Sequence, residues 1–177
     1  AVPLKLEPQD RLFRALLEQA KANFYTGEKT NVPQNIKDTI ARAVRALEEN
    51  PLEAGSVAAQ AVRKFTDDSP DVFVMIQEND MPWLPKLRSG TPAEKKYLNL
   101  LLASFMGGNV RAQLEQNICQ DMRNAGLASM KKTYAKIREA DPSFQLRELE
   151  QYGYLIRNRI RDTSGRIVDM EYIIYER

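Results

Sequence analysis

Four arginines fall within ten residues near the end of the chain, in the stretch Ile156 to Arg166, IRNRIRDTSGR. Planar guanidinium groups at that density suit phosphate oxygens, and phosphate contact is the chemistry this sequence offers most plainly. Other chemistries lack their parts. The chain has no histidine, which removes the usual neutral-pH base and the commonest metal ligand, so histidine triads and histidine-containing zinc sites are excluded within it. Its single cysteine, Cys119, stands in an apolar helical context and reads as a small buried residue, not a nucleophile. The short acidic groupings Asp67-Asp68-Asp71 and Glu78-Asp80 look like helix caps and solvated loops instead of a carboxylate centre. The expectation is a protein that is not an enzyme and that carries no metal or cofactor.

Overall charge agrees with a local rather than a global basic surface. Lys and Arg number 26 against 24 Asp and Glu, a net +2 over 177 residues, which signals neither a cationic coat nor an acidic nucleic-acid mimic. With 43% hydrophobic residues the chain can bury a real core, as one substantial domain or two small ones. No apolar run reaches membrane-spanning length, and the start AVPLKLEPQD lacks the basic-then-apolar pattern of a signal peptide. A cytoplasmic protein without a membrane partner is expected.

Periodicity gives the elements that must position the arginines. Leu12, Phe13, Leu16, Leu17, Ala20 and Phe24 recur at three- and four-residue steps and predict a first helix. Ile36, Ile40, Val44 and Leu47 predict a second that ends at Asn50-Pro51, and Val57, Ala61 and Phe65, with Ala58 and Val62 beside them, a third. The stretch DVFVMIQEN, residues 71–79, has Val/Phe/Ile content that suits a strand but follows a helix start at Ser69-Pro70, and is read as a short helix. Two prolines and a glycine between Asp80 and Thr91 suggest a boundary, dividing the chain into a helical domain at 1–88 and a second domain at 89–177. Within that boundary Trp83 is either an exposed anchor for a protein partner or, the favoured reading, a plug in the seam between the halves.

Thr91-Pro92-Ala93-Glu94 is a well-formed helix start, with Thr91 capping and Pro92 at the first helical position. The helix carries Tyr97, Leu98, Leu101, Leu102 and Phe105 inward and is expected to stop at Gly107-Gly108. Asn109 then caps a further helix on Val110, Leu114, Ile118 and Met122, stopped by Gly126. Ser129 opens a shorter one, with Met130, Tyr134 and Ile137 on one face and Lys131, Lys132 and Lys136 mostly elsewhere. Asp141-Pro142 ends it and begins PSFQLRELEQY, closed by Gly153. Two helices joined by a tight turn have the spacing of a helix-turn-helix unit.

Behind that unit the period changes to two. Tyr154, Ile156 and Ile160 alternate with Arg157, Arg159 and Arg161, and Val168, Met170, Tyr172 and Ile174 alternate with Asp169 and Glu171, so a hairpin is expected. A three-residue loop, Thr163-Ser164-Gly165, puts Ile160 opposite Val168, Asn158 opposite Met170 and Ile156 opposite Tyr172, with Gly165 at the left-handed position. Arg159 then faces Asp169 and Arg157 faces Glu171. Arg161 and Arg166, beside the tip, are left for phosphate.

The run LRELEQYGYLIRNRIRDTSGRIVDMEYIIYER resembles the end of winged helix-turn-helix domains in replication-initiation and regulatory proteins of bacterial phages, plasmids and other mobile elements. There the last helix reads L-x-E-L-E-x-x-G-Y-L, matched by Leu146, Glu148, Leu149, Glu150, Gly153, Tyr154 and Leu155. An arginine-rich hairpin follows, with a D-x-x-G-R turn and a terminal Y-x-x-Y-E, matched by Asp162, Gly165, Arg166, Tyr172, Tyr175 and Glu176. The resemblance covers about a fifth of the chain and implies a last helix docked in the major groove with the wing on a neighbouring backbone.

The fold expected is therefore mainly α, of the α+β class: a helical N-terminal half followed by a C-terminal winged helix with a two-stranded antiparallel hairpin. The function expected is sequence-tolerant binding of duplex DNA by a phage or mobile-element protein, through Lys131, Lys132, Lys136, Arg161 and Arg166 on phosphates and Gln145 and Arg147 toward base edges. The alternative is a protein-interaction module, with Trp83 or the N-terminal half docked on a partner, which inhibits or recruits a nucleic-acid enzyme as an anti-CRISPR factor does.

Overall fold

The computed structural model describes residues 30–161 and 163–176, and the expected helix on Leu12 to Phe24 lies outside them. Helix α1 (Gln34–Glu49) buries Ile36, Ile40, Val44 and Leu47, the stripe its spacing predicts. Helix α2 (Pro51–Asp68) follows after one residue, with Pro51 at its start, where the missing N–H forfeits no helical bond. Its buried face is Gly55, Ala58, Ala59, Val62 and Phe65, so Val57 and Ala61 form a half-buried flank. Small residues decide this rotation: a Cβ on Gly55 would come within 2.8 Å of Leu100 Cδ2.

Residues 72–77 do not form the expected short helix. The segment is irregular, because side chains from elsewhere take its backbone groups: Gln113 accepts from Phe73 N–H at 3.0 Å and donates to Phe73 C=O at 2.6 Å, and Asp121 accepts from Met75 N–H at 3.0 Å. A one-turn helix α3 (Lys86–Ser89) then leads to helix α4 (Pro92–Gln116). At the start of α4 the Thr91 hydroxyl accepts from Glu94 N–H at 3.2 Å and itself donates to the Glu94 carboxylate at 3.1 Å.

Contrary to expectation, α4 passes through Gly107-Gly108 without a break and ends 25 residues long at Asn117, whose φ of 52° is left-handed. Nearly every residue from Leu98 to Leu114 is buried, as in a helix surrounded by others. In such a place glycine is selected for room. A Cβ on Gly107 would lie 2.8 Å from Val44 Cγ2, and one on Gly108 would lie 2.4 Å from Ser129 Cβ. Gly126 answers from the other side, where an added Cβ would lie 2.7 Å from Phe105 C=O. It stops nothing, because helix α5 (Arg123–Ala140) begins before it and runs on through a buried Ser129.

After α5 the expected helix PSFQLRELEQY shrinks to the single turn of α6 (Arg147–Glu150). Phe144 and Leu146 are drawn into the core, with the Phe144 ring 4.8 Å from that of Tyr97 and 6.0 Å from that of Tyr134. Side chains satisfy the extended backbone: Tyr134 Oη accepts from Leu146 N–H at 2.9 Å and Arg138 donates to Phe144 C=O at 3.0 Å. Strands β1 (Tyr152–Arg161) and β2 (Ile167–Glu176) close the chain as an antiparallel hairpin. The whole is mainly helical with a C-terminal hairpin. One apolar cluster runs from Val32 to Leu149 and draws on residues on both sides of position 88. Trp83 is fully buried within it, filling the seam and not offering an exposed anchor. Among the described residues no helix is long and apolar enough to cross a membrane.

If Gly107-Gly108 merely interrupted a helix, alanine would stabilise it by about 1 kcal/mol. Close packing reverses the sign. Gly108→Ala is expected to destabilise the protein by about 1–3 kcal/mol through overpacking, read as a lower midpoint in thermal or urea denaturation.

Candidate nucleic-acid interface

The hairpin is seated on α5 by tyrosines laid over lysines. Lys131 Nζ lies 5.1 Å from the centre of the Tyr152 ring, and Lys132 Nζ lies 5.9 Å and 5.6 Å from the rings of Tyr154 and Tyr172. Those two rings meet edge to face at 5.5 Å across the strands. Beneath them the Glu48 carboxylate takes a two-pronged bond from Arg111, at 2.7 and 3.2 Å, and faces Lys132 at 3.7 Å. Burial by itself would lower the pKa of the Lys132 ammonium; Glu48 and the two tyrosines outweigh it and hold the pKa above its ordinary value. The Tyr152 hydroxyl is pushed up, mainly by burial. At the other end of the seat Arg123 forks onto Asp80, both Nε contacts at 2.9 Å, and Asn124 donates to Tyr172 C=O at 3.4 Å. Lys131 and Lys132, expected as phosphate ligands, thus lie against the tyrosines of the hairpin, with the Lys131 ammonium buried.

The ladder follows the expected register at the base, with Ile156 opposite Tyr172 and Tyr154 opposite Ile174. Toward the tip it departs. Bulges set Asn158 opposite Glu171, Arg159 opposite Met170 and Ile160 opposite Asp169, before Arg161 meets Ile167. The Arg157 and Glu171 side chains still form the expected ion pair, at 3.4 Å. Arg159 faces Met170 in place of Asp169, and Arg161 donates to Gly165 C=O at 2.8 Å across the turn. Gly165 has φ +83°, the left-handed conformation its position in the loop required. Arg157, Arg159, Arg161 and Arg166 are all exposed on this one projecting element.

The remaining expected residues lie on other elements. Lys136 is exposed on α5 and pairs with Glu139 at 3.3 Å. Gln145 donates to Glu150 at 3.2 Å, and Arg147 is exposed on the one-turn α6. The Glu150 carboxyl is held below the usual range by the bonds from Gln145 and Tyr134. Of the acidic groupings, Asp80 is occupied by Arg123 and Asp68 by Lys64 at 2.7 Å. Among the described residues no three metal-ligating side chains come together, and Cys119 is buried.

Two polar residues matter more than their sequence context suggested. Asn109, expected as a cap, is fully buried inside α4, where its carbonyl accepts from Met122 N–H and from Gln113 Nε2, each at 2.7 Å, and its amide donates to Asp121 at 2.7 Å. With Gln113 it ties the 73–75 strap and the entry to α5 onto α4. Paired amides one helical turn apart in an apolar stripe were the only available sign. Comparison with known proteins adds no guide: no protein-family model, curated protein or solved structure matches the chain.

Lys132→Ala removes a half-buried cation from Glu48 and from two rings at once. It is expected to lower stability by about 1–2 kcal/mol and to speed amide exchange in β2, measured by denaturation and hydrogen exchange.

Proposed function

We propose that the protein binds nucleic acid, duplex DNA foremost, by laying the arginine hairpin against the phosphate backbone with little preference for sequence. The observation that carries this reading is the gathering of Arg157, Arg159, Arg161 and Arg166 on one exposed element. Phosphate contacts position a protein on DNA but carry no base information. A helix of one turn is about 6 Å long and has too little length to read along a major groove, and Gln145 is already bonded to Glu150. Weak sequence preference follows. The hairpin's likeness to wings of mobile-element replication and regulatory proteins supports the same reading.

A second reading, a protein-contact module that acts on a nucleic-acid enzyme, draws on the exposed Leu155, Ile173 and Tyr175 near the base of the hairpin. Salt separates the two, since phosphate contacts release counterions and an apolar interface does not.

With a labelled random-sequence duplex, wild-type affinity is expected to fall steeply between low and moderate salt. Replacing Arg159, Arg161 and Arg166 together by alanine should reduce the slope of log affinity against log salt by about 2–3, with the thermal midpoint unchanged. Unaltered affinity in the triple variant removes the hairpin from the interface, and no binding at low salt shifts the function to the second reading.

A further inference from the structure

At its base the hairpin turns one face to the helices: Tyr154 and Tyr172 meet Lys132, and Ile174 packs on the core. The alternate positions point away, where a half-buried antiparallel sheet ordinarily shows polar residues. Here Leu155 is 58% exposed, Ile173 43% and Tyr175 39%. The register arranges them in rungs. Tyr175 stands opposite Gly153 and lays its ring over it, so that a Cβ on Gly153 would be 2.5 Å from that ring. Next comes Leu155 beside Ile173, and one step nearer the tip the exposed Arg157 and Glu171 pair. The result is an exposed apolar patch ending in one positive and one negative charge, side by side.

We propose that this face packs against the same face of a second copy, about a two-fold axis parallel to the strands. Such an axis lays β1 of one chain over β2 of the other at the same level. Leu155 then meets the second copy's Ile173, and Arg157 meets the second copy's Glu171, twice over. Turning one sheet end for end would instead cover the charged rung with the tyrosine rung, removing ions from water without opposite charges across the interface. Charge complementarity therefore selects both the occupant and its orientation, with both arginine tips pointing the same way. The pairing does not depend on the nucleic-acid reading.

Sedimentation velocity across the micromolar range tests it. The wild-type chain is expected to form a dimer, and Leu155→Asp a monomer. Arg157→Glu and Glu171→Arg should each be monomeric alone, because like charges then face each other, while an equimolar mixture of the two should recover the dimer. Thermal melts establish that each variant is folded. A wild-type protein that stays monomeric overturns the proposal; so do charge variants that dimerise alone, or a mixture that fails to associate. A Leu155→Asp variant that dimerises as the wild type does would also overturn it.

Discussion

Helices α4 and α5 cross so closely that neither Gly108 nor Gly126 has room for a methyl group, and the placement of every later element follows from that crossing. Gly108 accepts the Ser129 side chain, while Gly126 lies against the Phe105 backbone and ring. Just beyond the crossing, buried Ser104 and Thr133 hydroxyls bond at 2.6 Å, and Thr133 donates to Leu47 C=O at 3.0 Å, bringing α1 into the same contact. A close-packed interior transmits such a fixed distance outward. The lysines of α5 thereby take set positions, and with them the tyrosines of the hairpin.

Electrostatics finishes what packing begins. Glu48 is nearly buried, and an unpaired carboxylate there would be costly. Arg111 and Lys132 answer it from two different helices, and Lys132 extends its charge to Tyr154 and Tyr172 on the two strands. The cluster joins α1, α4, α5 and the hairpin through a single ammonium group. Removing apolar cover from that ammonium would hydrate it and weaken its hold on both rings, so the base of the hairpin is as firm as the Glu48 cluster beneath it.

Sequence patterns gave the local elements that depend on nearest neighbours. The α1 stripe, the Thr91 cap and the left-handed Gly165 are each set within a few residues, and each is where periodicity and turn chemistry put it. Elements decided by tertiary surroundings depart from those patterns. Gly107-Gly108 has the composition of a helix stop, yet its neighbours Val44 and Ser129 come from other helices and were invisible in the sequence. The 72–77 segment has strand-like residues, but the chain's own Gln113 and Asp121 supply the bonds that keep it out of a helix. Lys131 and Lys132 look like a solvated face until the tyrosines that lie over them, 20 or more residues later, are in place.

The two register shifts give the hairpin different physics at its two ends. One extra residue in β1 near Arg157 is balanced by one in β2 near Val168, so the ladder leaves its register after Ile156 and regains it at Arg161. Bulges increase local twist and bend the strand. Below the first, the side chains are governed by tyrosine packing and the sheet is bound to α5. Above it, the bulge takes Arg159 off the strict alternation that would have kept it on the face of Arg157, and Arg161 is bonded to Gly165 C=O across the turn. Arginines on a bent strand with a shifted register are therefore not held in a single row.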